Sequence, residues 1–236
     1  TIGGFTFFAA SLLAISQSDA KKVLAYSTVS NLGLITACAG VGMYEAVWAG
    51  ILLMIFHAVS KSLMFLSVGA TENSLGSRNI EDMHGLIVKL PSLTAILVIG
   101  IAGMFLAPFG MLISKWAALK AYVDTQSILL VIFLIFGSAT TLFYWTKWLA
   151  KLLCYHIPRE TVKDVTCRDE YVSMFFHAAS MLLLCLFLPF VAVGVVNPIV
   201  RELFGNSTDV LSMSVLTTMA VMLISIFIVP VVMFFI

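Results

Sequence analysis

Two lysines, Lys61 and Lys115, lie near the middle of apolar stretches that are long enough to cross a membrane. A charge at the centre of a bilayer helix costs about 2.5–3.5 kcal/mol on insertion scales. The position of these ionisable groups at that depth favours a role in an ion or proton pathway. The alternative is that each lysine pairs with a carboxylate and so fixes the packing of helices.

His57 precedes Lys61 by four residues, so the two side chains share one face of a helix. Removing a lysine from water disfavours its charged form, and a neighbouring positive charge does the same. Imidazole titrates near neutral pH without such help. The spacing therefore predicts a two-step proton relay along the membrane plane, with a purely structural His57 as the alternative.

The fourth apolar stretch, about 92–123, is too long for one straight helix. Its residues would span about 48 Å at 1.5 Å per residue, whereas the hydrocarbon core is about 30 Å thick. Pro108 and Gly110 predict a break near 107–110, because proline removes a helix hydrogen bond. Transporters place ion sites at such breaks, and Lys115 lies one to two turns beyond this one.

The composition indicates an all-α, polytopic bundle of transmembrane helices. Of 236 residues, 61% are hydrophobic and 11% are charged, against about 25% charged in soluble domains. Mean hydropathy is +1.08. The four cysteines have no metal-ligand spacing and no soluble-enzyme motif occurs, so we predict neither a metal site nor a catalytic residue in this chain.

Seven spans are predicted, at about 1–16, 23–42, 46–70, 92–123, 127–151, 172–200 and 210–236. The chain begins and stops inside apolar runs, so we expect it to be a piece of a longer polypeptide. Lysine and arginine concentrate in the loops after the first, third and fifth spans and in their flanks. These residues are Lys21, Lys22, Arg78, Lys89, Lys147, Lys151, Arg159, Lys163 and Arg168, against Lys120 and Arg201 on the other side. The bias predicts that the first group is cytoplasmic.

Polar residues at the start of the second span form a candidate mouth of the pathway. Lys21 and Lys22 lie at the membrane edge, where they either set the topology or line that mouth. Ser27 and Ser30 either line a path for water or bond back to helix carbonyls.

Three further charged residues have simpler interpretations. Lys147 and Lys151 are expected to reach the membrane interface beside Trp145 and Trp148. Glu45 begins the third span, where a carboxylate stabilises a helix N-terminus, and capping is its expected role.

Three segments resemble the antiporter-like subunits of respiratory NADH dehydrogenase (complex I), Mrp cation/proton antiporters and membrane-bound hydrogenases. They are SDAKKVLAYSTVSNLG at 18–33, HAVSKSLMFL at 57–66 and NIEDMHGL at 79–86. The segments occur in the order found in that family, and the likeness covers about residues 1–150.

The resemblance implies two inverted five-helix repeats in the whole subunit. Residues 1–151 would be the second repeat, 152–171 a cytoplasmic loop, and 172–236 two additional transmembrane helices. Lys61 would be the central relay lysine with His57 beside it. Lys115 would be the terminal lysine of the second half-channel. The location implied is a bacterial or archaeal cytoplasmic membrane.

A subgroup is suggested by the segment FGMLISKW at 109–116, where many respiratory subunits instead read G-F-x-S-K-[DE]. This form resembles the large membrane subunit of energy-converting (Ech-type) [NiFe] hydrogenases. The resemblance implies a non-catalytic subunit that moves H⁺ or Na⁺, driven by ferredoxin-linked hydrogen chemistry in its partners. Those partners would be other membrane subunits and peripheral hydrogenase subunits, which would carry the [NiFe] centre and iron–sulfur clusters.

Two alternatives stay open. The first is an Mrp-type cation/proton antiporter subunit or a respiratory complex I-like subunit, since these share the same motifs. The second is a passive membrane scaffold that anchors a peripheral complex. A scaffold would leave the two intramembrane lysines and the broken helix unexplained.

Overall fold

The computed structural model describes residues 1–105, 110–154, 162–205 and 221, and these residues are almost entirely helical. The helices are α1 (Ile2–Ile15), α2 (Ala20–Val41), α3 (Tyr44–Leu75), α4 (Leu86–Lys89), α5 (Pro91–Phe105), α6 (Gly110–Asp124), α7 (Ile128–Leu153), α8 (Arg168–Leu186), α9 (Leu188–Val191) and α10 (Asn197–Phe204), with a π-helical turn at Ala192–Val196. The predicted class, an all-α bundle of apolar helices, is confirmed.

Four helices, α2, α3, α7 and α8, are long and apolar enough to cross a membrane, and α1 and α5 are shorter apolar helices. The first, second, third and fifth predicted spans correspond to α1, α2, α3 and α7 to within a few residues. The sixth span is wrong in detail. Instead of one helix over about 172–200, α8 ends at Leu186, and short helical pieces follow that contain Pro189 and the π-helical turn.

The predicted helix break falls mostly on residues outside the described part of the chain. Pro108 belongs to the undescribed 106–109. On either side, α5 ends at Phe105 and α6 begins at Gly110. The discontinuity therefore stays a prediction, as does the seventh span at 210–236, of which only Val221 is described.

Helix α3 is the centre of the bundle, because it packs against α2, α5, α6 and α8. Helix α1 packs on α2 and α7. Lys61 and His57 are on α3 and Lys115 is on α6, so the two helices that carry the candidate residues are direct neighbours. The mutual arrangement of α1, α2, α3, α6 and α7 is therefore what positions the site.

Helices α1 and α2 approach each other so closely that their backbones touch at two glycines. A Cβ atom at Gly33 would lie 2.7 Å from the Phe7 backbone nitrogen and 2.8 Å from the Gly3 carbonyl oxygen. Membrane helices use small residues in this way, because packing rather than the hydrophobic effect holds them together. The contact fixes Phe7, whose side chain belongs to the site described below.

We expect Gly33→Val to separate α1 from α2 and to destabilise the bundle by about 1–3 kcal/mol, the usual cost of overpacking. Gly69→Val is the matched control, since Gly69 also lies within a long helix but a Cβ there meets nothing within 4 Å. The measurement is the thermal unfolding midpoint of the detergent-solubilised protein. Equal midpoints for the two variants would contradict the close contact.

The loop between α3 and α4 is bound across the ends of α2 and α7. Asp19 caps α2, accepting hydrogen bonds from the backbone nitrogens of Lys21 (2.9 Å) and Lys22 (3.2 Å). Its other oxygen pairs with Arg78 at 2.8 Å. At the end of the loop, the Gly85 nitrogen donates to the Lys151 carbonyl at 3.0 Å. The side predicted to be cytoplasmic is thus closed by a well-bonded loop.

Candidate functional site

Lys61 is buried in the middle of α3, with 6% of its surface exposed. Its Nζ donates to the Leu24 carbonyl oxygen at 3.0 Å and to the Ser27 hydroxyl, both on α2. Within the described residues no carboxylate pairs with it, so the alternative of a lysine–carboxylate packing pair has no support there. Neutral acceptors can hold the amine in either protonation state.

An aromatic ring covers Lys61 on another side. The Lys61 Nζ lies 5.2 Å from the ring centroid of Trp145 on α7, a cation–π distance that favours the charged amine. Trp145 stacks on Trp148 with ring centroids 5.7 Å apart.

The interpretation of these two tryptophans as interfacial is wrong, because both are fully buried. The ammonium groups of Lys147 and Lys151 pair with Glu81 in the loop, at 3.8 Å and 2.5 Å, and the reach of these two lysines to the membrane interface stays a prediction. The face of α7 that carries the tryptophans points into the bundle.

His57 is as deeply buried as Lys61, with 6% of its surface exposed. Its ring is within electrostatic range of both Lys61 and Lys115. Among the described residues, neither ring nitrogen has a hydrogen-bond partner. Buried polar atoms are rarely unsatisfied unless water or another mobile donor serves them, so the His57 ring is free to bond to water or to a proton carrier.

Lys115 is half-buried on α6, and its Nζ lies 5.7 Å from the Phe7 ring centroid. The amine makes no hydrogen bond to the described residues. It borders an apolar cavity of about 600 Å³ between α5, α6 and α7, in which Ser138 and Thr141 are among the few polar residues. Lys61 and Lys115 therefore have different surroundings, and the His57 ring is within electrostatic range of both amines.

The four residues of the predicted mouth are placed differently from one another. Ser27 contacts Lys61 directly, and its own hydroxyl donates to the Leu24 carbonyl at 2.9 Å. Ser30 donates to the Phe7 carbonyl at 2.9 Å and so joins α2 to α1. Lys21 pairs at 2.5 Å with Glu72 near the end of α3, and Lys22 is exposed at the start of α2. Only Ser27 of the four is brought to Lys61.

The sequence analysis missed an ion pair at the opposite end of the bundle. Glu45, expected only to stabilise its helix terminus, is 4% exposed, and its Oε1 lies 2.6 Å from the Lys120 Nζ. This pair joins α3 to α6, the helices that carry Lys61 and Lys115. The second carboxylate oxygen of Glu45, Oε2, is buried and has no hydrogen-bond partner in the described ranges. The two residues are 75 positions apart, and no local pattern indicates such a pairing.

A bundle of apolar helices around a buried lysine fits the class of polytopic antiporter-like membrane subunits. The chain belongs to the NADH:quinone oxidoreductase/Mrp antiporter transmembrane family, whose model matches residues 1–141.

The chain is 33% identical over 175 residues to Na⁺/H⁺ antiporter subunit A1 of Staphylococcus saprophyticus, covering 64% of this chain and 22% of that protein. The subunit A1 of Staphylococcus aureus is 35% identical over 172 residues, covering 63% of this chain and 22% of that protein. The chain thus spans about a fifth of the length of these relatives.

Solved structures share the fold at lower identity. A chain of the Mrp complex from Dietzia sp. DQ12-45-1b superposes with a TM-score of 0.74 at 16% identity, covering 88% of this chain and 47% of that one. A chain of the membrane-bound sulfane sulfur reductase, an archaeal respiratory membrane complex, gives 0.75 at 23% identity, covering 85% and 40%. Respiratory complex I from Thermus thermophilus gives 0.61 at 18% identity, covering 80% and 43%.

Proposed function

We propose that this chain forms part of an ion-translocating, antiporter-like subunit of an Mrp-type cation/proton antiporter, in which Lys61, His57 and Lys115 relay protons. The observation that carries the proposal is Lys61 itself. It is a lysine buried at mid-helix, held by Ser27 and the Leu24 carbonyl, with no carboxylate partner among the described residues.

The relay works through charge. A proton on Lys61 is stabilised by the Leu24 carbonyl and the Trp145 ring. When a cation or a positive charge of a partner comes near, the protonated amine is destabilised, because electrostatic repulsion between like charges is strong away from water. The proton then passes through His57 to Lys115, which releases it on the other side of the membrane.

The sequence analysis gave an energy-converting hydrogenase as its first interpretation, but the comparisons favour its Mrp alternative. The relatives with 33–35% identity are named as Na⁺/H⁺ antiporter subunits. The hydrogenase interpretation rests on one segment, in which Trp116 follows Lys115. It stays as a second candidate, with the [NiFe] centre, the iron–sulfur clusters and the peripheral hydrogenase subunits all in partner chains.

The experiment is ion exchange by the complete purified complex in proteoliposomes, together with its metal content. We expect an imposed Na⁺ gradient to drive opposite H⁺ movement without any redox substrate, and we expect no nickel. Nickel, iron and proton pumping that requires ferredoxin and hydrogen would replace the antiporter proposal by the hydrogenase one. A scaffold predicts that neither activity depends on Lys61.

A further inference from the structure

A small cavity lies at the side predicted to be cytoplasmic, between the loop and the ends of α1, α2 and α7. Its outer walls include Gln17, Ser18, Glu81 and Lys147, and its inner wall includes the Tyr144 side chain. About 10 Å³ of it is open to the centre of a water molecule, which is room for about one water. The cavity thus joins the loop surface to a buried phenol.

Tyr144 lines this cavity and is itself buried. It is 4% exposed, and within the described part of the chain its hydroxyl makes no hydrogen bond of acceptable geometry. The hydroxyls of Ser27 and Thr141 are nevertheless close to it. Ser27 is the residue that accepts a hydrogen bond from Lys61. Tyr144 therefore lines the cavity, its hydroxyl lies near that of Ser27, and Ser27 contacts Lys61.

Resting on the proposed function, we propose that the Tyr144 hydroxyl is the step by which protons pass from the loop-side cavity to Lys61. A water in the cavity gives a proton to the phenol oxygen while the phenol proton passes to the Ser27 oxygen. Ser27 in turn gives its own proton to the neutral Lys61 amine. Both hydroxyls end neutral, the water is left as hydroxide until bulk water reprotonates it, and one proton is gained by Lys61.

An ion-paired cluster of charged side chains lies at the outer end of this route. Glu81 holds the ammonium groups of Lys147 and Lys151 over the cavity. The hydrogen bond from Lys151 keeps the pKa of the Glu81 carboxyl below its ordinary value, so the carboxylate stays charged and the ion pair stays closed. The predicted mouth at Lys21 is less direct, since that side chain is bound to Glu72.

The test is Tyr144→Phe in the full-length protein, assembled in its complex and reconstituted in proteoliposomes. Removing the hydroxyl keeps the ring, so assembly and melting temperature are expected to be unchanged. Proton flux is expected to fall about ten- to a hundredfold. The fall should be steepest at alkaline pH on the loop side, where proton supply limits turnover. Tyr26→Phe, which removes a half-buried hydroxyl from α2 and leaves α7 unchanged, is the matched control.

Lys61→Ala separates the two proposals. Loss of flux in Lys61→Ala with wild-type flux in Tyr144→Phe at every pH overturns the Tyr144 route and leaves the proposed function standing. Equal loss at every pH together with poorer assembly in Tyr144→Phe assigns the tyrosine a packing role and also overturns the route. Wild-type flux in both variants contradicts the proposed function itself.

Discussion

Ion-coupled proton transport by the complete complex is expected to fall by about a hundredfold or more when Lys61 is replaced by alanine, the scale on which a positioned proton-transfer group acts. The amine donates to the Ser27 hydroxyl, and it lies where water has little access. Alanine leaves no group there that can take up a proton. The measurement is Na⁺-driven H⁺ movement in proteoliposomes.

Two further variants show whether Lys61 acts as a proton carrier or as a fixed charge. Lys61→Arg keeps the positive charge but removes the ability to release a proton, because a guanidinium stays protonated in proteins. We expect it to be as inactive as Lys61→Ala. Lys163→Ala removes an exposed loop lysine and should keep wild-type transport. Substantial activity in Lys61→Arg would mean that Lys61 acts as a fixed charge and not as a proton carrier.

Replacing Lys115 by alanine is expected to stop steady transport almost completely for a different reason. Lys115 borders the cavity between α5, α6 and α7, and in the proposed relay it is the group from which the proton leaves. Without it, Lys61 can still be loaded once but cannot pass its charge on. Steady flux should fall by about a hundredfold, again on the scale of a positioned proton-transfer group.

The two lysines can be told apart by a rapid Na⁺ jump with a pH indicator. Lys115→Ala should retain a single burst of about one proton per complex, followed by no turnover. Lys61→Ala should show neither the burst nor the turnover. A full steady rate in Lys115→Ala would place the exit of the pathway elsewhere, with Glu45 and Lys120 as the next pair to consider.

The helices and the position of Lys61 in the middle of one of them were predictable from the sequence, because long apolar runs and a charge within such a run are local features. The side chains that surround Lys61 were not predictable. Helix α7 is apolar around most of its circumference, so its periodicity does not say which face points inward. Composition alone favoured an interfacial position for Trp145 and Trp148, whereas packing on α1 and α5 turns both into the bundle.

Contacts between segments that are distant in the sequence could not be predicted from local sequence patterns either. Glu45 had an ordinary interpretation at a helix N-terminus and Lys120 entered only the count of charges outside the cytoplasmic loops, and only the α3–α6 packing brings them within 2.6 Å. The same holds for Tyr144, whose importance depends on Ser27 of a helix more than a hundred residues earlier in the chain. The sixth span was overestimated because an apolar composition continues through Pro189 and the π-helical turn, where the straight helix has already ended.

The most direct test of the account is proton flux in Lys61→Ala, Lys115→Ala and the double variant, measured side by side at equal amounts of assembled complex. If the two amines belong to one pathway, the double variant has the same residual flux as the lower single variant, since a path that is already blocked cannot lose more. Independent, multiplying losses in the double variant, or wild-type flux in either single variant, would contradict a shared pathway.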